Sequence, residues 1–353
     1  MKKIVKRLFI IVLGVFLIFS IVSIIIIKNV YDKNFIRVDR PDYSITAGNV
    51  NYNEFKNEYP RSNVSFLSGK NKLAGYIYGE ENNKGLIVLA HGLGGGSDSY
   101  LPQIMFFIDN GYKLFAYDCT GSYDSEGKTS IGFSQSILDL DSALNYIQSD
   151  NSLNTLDILL FGHSWGGYAV TNILNYNHNI TAVVSVAGVN SGDDFIKSQM
   201  IDMLGWFGYL QIPYLSLYQN HLFKDAYKTT AVNGINSSNI PVLIIHGDSD
   251  DTVLYERDSI ISNKSKITNS NVEYITTTGI HGGHNNLFKS EQSLGYIDEI
   301  NEIYLELYNS YDGDIPYSKK QEFYASLNNQ LVSELNLELM NSIIDFYSKS
   351  QTK

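Results

Sequence analysis

One cysteine, Cys119, occurs in the 353 residues. That scarcity excludes an intramolecular disulfide framework and any multi-cysteine zinc site. It leaves the compartment open, because a secreted bacterial enzyme can manage without disulfides. Basic residues are also short: 26 Lys and Arg face 37 Asp and Glu, for a net charge of −11. Their placement is uneven. Residues 1–35 hold six basic side chains and one acid, a balance of +5, so residues 36–353 carry −16. A body charged in this way repels polyanions, which excludes nucleic acid as a partner and makes a strongly anionic lipid surface a poor landing site. Repeats and low-complexity tracts are lacking too. With 44% hydrophobic residues the composition is not that of a disordered chain. The length suits one large α/β domain or two ordinary ones.

Long uncharged apolar runs are likewise scarce, and the exception is informative. Leu8 to Ile27 is a 20-residue stretch without a charge. As a helix it would span roughly 30 Å, the thickness of a bilayer's hydrocarbon core. It is longer than the roughly 7–15 apolar residues of a signal-peptide core, and no small-x-small cleavage site follows. Lys2, Lys3, Lys6 and Arg7 precede it. The positive-inside bias then predicts a single-pass protein with its N-terminus cytoplasmic and its body outside. The alternative is a signal peptide that is cleaved to release a secreted body. The expected layout is an anchor over residues 1–30, a stalk over 31–57 and one folded domain over 58–353.

Within the body, apolar strands alternate with amphipathic helices. Asn63–Ser68 and Leu73–Gly79 read as a hairpin. Gly85–Ala90, Lys113–Tyr117, Leu156–Phe161, Ala182–Ala187, Val242–His246 and Val272–Thr276 read as further strands, with helices over Tyr100–Asp109, Phe133–Gln148 and Gly167–Leu174. This rhythm predicts a mostly parallel sheet covered on both faces. About residues 190–239 interrupt it with Met200, Met203, Trp206, Phe207, Tyr209, Tyr214 and Tyr218, which suits a helical cap shaping an apolar pocket. Leu331–Tyr347 has helical spacing and is expected to pack on the domain.

Gly162-His163-Ser164-Trp165-Gly166 fits G-x-S-x-G. The pattern alone is weak, but here it joins an apolar strand directly to a helix, as a nucleophile elbow requires. A nucleophilic serine needs a base, and the base needs an orienting acid. Three carboxylates compete for the acid on the loop after Val242–His246: Asp248, Asp250 and Asp251. On the loop after Val272–Thr276, His284 behind two glycines is the better base and His281 the weaker. An oxyanion needs two backbone N–H donors. Trp165, after the serine, supplies one. Leu93, in the glycine-rich His91–Gly96 loop, is the choice for the other.

Taken in order, HGLGGG, YDCTGSYDSEG at 117–127, FGHSWGGYA at 161–169, IPVLIIHGDSDDTV at 240–253 and GGHNNL resemble the α/β-hydrolase superfamily. The similarity is strongest to its serine aminopeptidase, monoacylglycerol-lipase-like and bacterial esterase branch, over about residues 60–290. The resemblance implies an α/β-hydrolase fold and a Ser–Asp–His triad that needs neither cofactor nor metal. Its acid sits three residues after the glycine of a G-x-x-D-x-x-V run, which implies Asp250, and its histidine follows glycine directly, which implies His284. One departure stands out. Where the branch reads D-x-R-G-x-G-x-S, this chain has Thr120 for the arginine and Tyr123 for the second glycine, which weakens any transfer of substrate preference.

The expected activity is therefore cleavage of a carboxylic ester, with a peptidase acting on short peptides as the alternative. A non-catalytic, membrane-tethered binding module is the rival from another class. A dinucleotide fold fails because Ser97 stands where the third glycine of Gly92-x-Gly94 should be. A metal site at His281 and His284 lacks further ligands at suitable spacing. His91, His163 and His246 flank motif glycines and read as structural.

Overall fold

The computed structural model describes residues 2–47 and 50–352. The uncharged N-terminal run lies within one continuous helix, α1 (Lys2–Asn34). After a single turn of helix, α2 (Tyr52–Phe55), the chain forms β1 (Arg61–Ser68) and β2 (Asn71–Tyr78). Gly69, with φ at +57°, makes the tight connection between them. Then come β3 (Leu86–Ala90), α3 (Leu101–Asp109), β4 (Lys113–Tyr117), α4 (Gln135–Ser149), β5 (Ile158–His163), α5 (Trp165–Asn172) and β6 (Ala182–Val186). The insertion supplies α6 (Gly192–Leu204), α7 (Trp206–Phe223) and α8 (Ala231–Ser238). The chain continues with β7 (Val242–Gly247), β8 (Val272–Thr277), α9 (Glu291–Ser310), α10 (Tyr317–Ala325), α11 (Asn329–Val332) and α12 (Leu337–Ser350).

The eight strands form one sheet in the order β1-β2-β4-β3-β5-β6-β7-β8. β2 runs antiparallel to both neighbours, and β4 through β8 are parallel to one another. Side chains along a strand alternate between faces. Val88, Leu160, Val183 and Ile244 therefore enter one core with α4 and α5. Ile87, Leu89, Phe161, Val184 and Ile245 enter the other with α3 and α12. Burial on both faces is why these strands read as unbroken apolar runs.

Two boundaries differ from the sequence expectation. The helical spacing seen over Leu331–Tyr347 is broken, because Asn336 caps a new helix by accepting the Leu339 N–H. α12 then buries Leu339, Met340, Ile343 and Tyr347, and the Tyr347 hydroxyl donates to the Leu160 carbonyl of β5 at 2.7 Å.

Of the expected stalk over residues 31–57, residues 31–40 pack on the body. Tyr31 to Asn34 complete α1, and Phe35 is buried. Val38 pairs with the loop at Ser122: its N–H donates to Gly121 O at 2.9 Å and its carbonyl accepts from Tyr123 N–H at 2.8 Å. The Arg37 guanidinium donates to the carbonyls of Tyr123, Ser125 and Gly127. Arg40 pairs with Asp98 and Asp124. This loop is the one that lacks an arginine at Thr120, and its carbonyls receive a guanidinium from outside it. Polar residues without periodicity thus mark a segment that packs through hydrogen bonds rather than an apolar stripe.

Candidate active site

Between β5 and α5 a single residue makes the turn, Ser164, with φ at +56° and ψ at −114°. Few non-glycine residues adopt this conformation, and it persists only where the surroundings impose it. Its N–H donates to Val186 O at 2.8 Å, and its carbonyl accepts from Tyr168 N–H at 2.9 Å. The flanking glycines are dictated by close backbone approach. A Cβ on Gly166 would lie 1.9 Å from Ala90 O, and one on Gly162 would lie 2.3 Å from Gly166 O. Ser164 is thereby held above the C-terminal edge of the sheet at the N-terminus of α5, where the helix dipole favours developing negative charge.

The loops after β7 and β8 bring Asp250 and His284 to this serine. His284 Nε2 lies 2.9 Å from Ser164 Oγ, and His284 Nδ1 lies 2.7 Å from Asp250 Oδ2. With Nδ1–H donating to the carboxylate, Nε2 is left free to accept the serine proton. The second carboxylate oxygen, Oδ1, accepts the N–H groups of Thr252 and Val253 at 2.9 and 2.8 Å. His246 Nε2 approaches Oδ2 at 3.2 Å. Burial opposes the Asp250 charge. The hydrogen bonds from His246 and His284 outweigh that penalty and hold the carboxyl well below the usual range. The two other acids do not reach the imidazole. Asp248 and Asp251 are exposed and bond only to the neighbouring hydroxyls of Ser249 and Thr252. His281 faces the Asn286 carbonyl of its own loop, at 3.5 Å.

Leu93 and Trp165 both line the cavity that Ser164 and His284 open into, a space of about 480 Å³. Neither backbone N–H donates to an acceptor among the described residues. A Cβ added to Gly92 would lie 2.9 Å from the Tyr100 hydroxyl and in ordinary contact, at 3.6 Å, with Ser164 Cβ. Phe133, Val189 and Val253 supply apolar walls, and of α6, α7 and α8 only α6 reaches the cavity, through Phe195. The expected apolar cap thus contributes one side chain to the pocket, while most of its aromatic residues lie elsewhere.

A polar chain the sequence reading did not foresee links the three loops. Gly92 N–H donates to the Tyr100 hydroxyl at 3.0 Å, which donates to His163 Nδ1 at 2.8 Å. His163 Nε2–H in turn donates to the His284 carbonyl at 3.0 Å. This arrangement needs a neutral imidazole. Burial, and after it the proximity of His284, pushes the His163 pKa down to about 3. His91 serves the neighbouring loop, with Nδ1–H donating to Gly92 O at 2.8 Å and Nε2 accepting from Cys119 N–H at 2.9 Å. Only their position beside motif glycines marked either histidine, since Tyr100 and His163 stand 63 residues apart.

Sheet order, elbow and loop placement define the class: this is an α/β-hydrolase fold. Residues 81–235 match the family model described as serine aminopeptidase, S33, a span that contains Leu93, Ser164 and Trp165 and ends before Asp250 and His284. Solved structures of the Pyrococcus furiosus esterase Pf2001 share the fold. One aligns at a TM-score of 0.52 and 18% identity, covering 82% of this chain and 98% of the esterase. A second crystal form gives 0.53 at 18% identity, covering 78% and 97%. The protein YfhR of Escherichia coli strain K12, itself uncharacterised, is 26% identical over 180 residues, 50% of this chain and 56% of its own length. The chain therefore spans little more than half the length of that relative.

Proposed function

We propose that this protein is a serine hydrolase that cleaves carboxylic esters through an acyl-enzyme. One observation carries it: an unbroken hydrogen-bonded path from Ser164 Oγ through His284 to a buried Asp250, opening into an apolar cavity. In this mechanism His284 Nε2 takes the Ser164 proton as Oγ attacks the ester carbonyl carbon. Asp250 orients the imidazole and stabilises its cationic form. The Leu93 and Trp165 N–H groups receive the oxyanion, each worth on the order of 10²–10³ in rate. The tetrahedral intermediate collapses, the C–O bond breaks, and the alcohol leaves with the proton from His284. Water, deprotonated by His284, then attacks the acyl-enzyme and releases the carboxylic acid and Ser164.

The matched family name makes an aminopeptidase the second reading. Holding a peptide's free N-terminus calls for a carboxylate beside the cavity, and none of the described residues lining it carries one. An uncharged acyl group suits these walls better. The remaining element of the proposal is topological: Leu8–Ile27 anchors the protein in a membrane, with the N-terminus cytoplasmic and the catalytic body outside. Helix α1 is long and apolar enough to cross a bilayer.

Turnover of nitrophenyl esters of graded chain length, measured beside aminoacyl nitroanilides, tests the activity. Ester cleavage should fall by about 10⁶ in Ser164→Ala, by analogy with other triad enzymes. Retention of a tenth of the rate removes Ser164 from the role. Cleavage of the nitroanilides alone makes the protein a peptidase.

A further inference from the structure

From Met203 to Phe223 the chain has no Asp, Glu, Lys or Arg. These 21 residues end α6, turn at Gly205 and run the length of α7. One face of α7 is buried through Leu215 and Phe223, but the turn end is not covered. Trp206 is 76% exposed, Met203 and Tyr209 are each 62% exposed, and Leu210 is 48% exposed. A contiguous apolar surface of this kind marks an interaction site, and its neighbour in the fold says with what.

Helix α7 packs alongside α1. The Phe19 ring meets the Phe207 and Tyr214 rings edge-on, with centroids 6.4 and 5.9 Å apart. Ser20 Oγ and the Tyr214 hydroxyl lie 2.9 Å apart, and farther along the Tyr218 hydroxyl donates to Asp32 at 2.7 Å. The contacts therefore advance in the same direction along both helices, with the α6–α7 turn beside Phe19 at the deeper end. Phe19 lies eight residues inside the uncharged run that ends at Ile27, about 12 Å along the helix axis. Any bilayer crossed by Leu8–Ile27 must then surround the α6–α7 turn as well. In the other direction, Phe195 on the same α6 lines the catalytic cavity. It precedes Leu204 by nine residues, at most about 14 Å of helix.

We propose that the α6–α7 hairpin is a second membrane element, inserted in the outer leaflet beside α1, and that it opens the catalytic cavity to the bilayer. The substrate class follows: a carboxylic ester dissolved in the lipid phase, entering along α6 past Phe195 and the half-exposed Leu93. This inference rests on the ester-hydrolase reading and on α1 as a membrane span. The hairpin has aromatic and aliphatic side chains where an interfacial element needs them. The body charge of −16 directs it to zwitterionic rather than anionic lipid.

The chain has two tryptophans, which makes a direct test possible. Trp165 is buried beside Ser164, and Trp206 stands at the hairpin turn. The full chain is reconstituted in phosphatidylcholine vesicles brominated at defined acyl positions. Bromine in the upper acyl chain should quench part of the emission, and Trp206→Phe should abolish that quenching. Emission indifferent to bromine, from protein that resists carbonate extraction, overturns the hairpin proposal and leaves the anchor standing. A second measurement compares Trp206→Glu/Leu210→Glu with wild type. Turnover of a short, water-soluble ester should stay within about twofold, while hydrolysis of a long-chain ester held in the same vesicles falls about tenfold, as a loss of about 1.4 kcal/mol in docking would give. An equal effect on both substrates, or none on either, overturns the proposal. Wild-type protein silent on every ester refutes the hydrolase reading instead, because quenching reports the hairpin without any turnover.

Discussion

The loops around Ser164 and the α6–α7 hairpin sit at opposite ends of one short helix, α6, and are built on opposite rules. At the serine nearly every polar group has a partner. Asp250 accepts from two backbone N–H groups and the His284 imidazole, with His246 Nε2 close by, and His163 is satisfied at both nitrogens. At the hairpin Asp, Glu, Lys and Arg are absent from Met203 to Phe223 and large apolar side chains stand uncovered. On the two proposals made above, the difference follows from what each surface would face. A site that moves protons beneath apolar walls must satisfy each buried donor and acceptor, since an unpaired one costs about 1–3 kcal/mol. A surface in contact with lipid must instead remove charge.

The comparison can be broken most severely at the acid. Asp250→Asn should lower turnover by about 10⁴, some 5.5 kcal/mol of transition-state stabilisation, through loss of the imidazole's orientation. Asp248→Asn and Asp251→Asn should keep near-normal rates. Should Asp248→Asn prove the crippled variant in the same assay, the acid belongs there.

That experiment also marks how far the site was legible. The elbow was readable because its constraints are local: a serine between glycines, at a strand-to-helix junction. Three carboxylates within four residues shared one local signature, and only a resemblance to a family singled out Asp250. What separates them in space is the turn at Asp250, whose Oδ1 is tied to Thr252 and Val253 while Asp248 and Asp251 point to solvent.

Away from the reacting atoms, Arg37 offers the next largest effect. It holds three carbonyls of the 118–127 loop, so Arg37→Ala should destabilise the protein by about 2 kcal/mol, read as a lower denaturant midpoint. An unchanged midpoint would return residues 31–40 to the status of a stalk. This packing was hidden in the sequence because each Arg37 contact joins residues more than 80 positions apart, through a polar side chain that leaves no periodic trace.

A more gradual effect, spread over several pH units, concerns His163. His163 is neutral in the fold, with its pKa pushed down to about 3, whereas an unfolded histidine protonates near 6.5. Its contribution to stability is therefore complete above about pH 6.5 and is lost as the pH falls toward 3, by about 1.4 kcal/mol per unit. Unfolding free energies of His163→Gln across that window should follow a slope shallower by this amount. Parallel curves would mean that His163 is charged in the folded protein. The least effect is expected at the hairpin, where Trp206→Glu/Leu210→Glu should leave turnover of a water-soluble ester within about twofold. A large loss there would tie the hairpin to the chemistry and erase the contrast between the two ends of α6.

The sequence by itself determined the order of the strands and of the helices α3, α4 and α5 between them, the class of fold, the serine at a strand-to-helix turn and the uncharged N-terminal run. Each of these is written in contiguous residues, as a periodicity, a spacing or an absence of charge. Only the tertiary structure decided which acid meets His284, that Arg37 and Val38 clamp a distant loop, and that α7 lies along α1 with its apolar turn beside Phe19. These pairings depend on where separate loops and helices converge once the sheet is assembled, and the free energy of such contacts appears only when both partners are present.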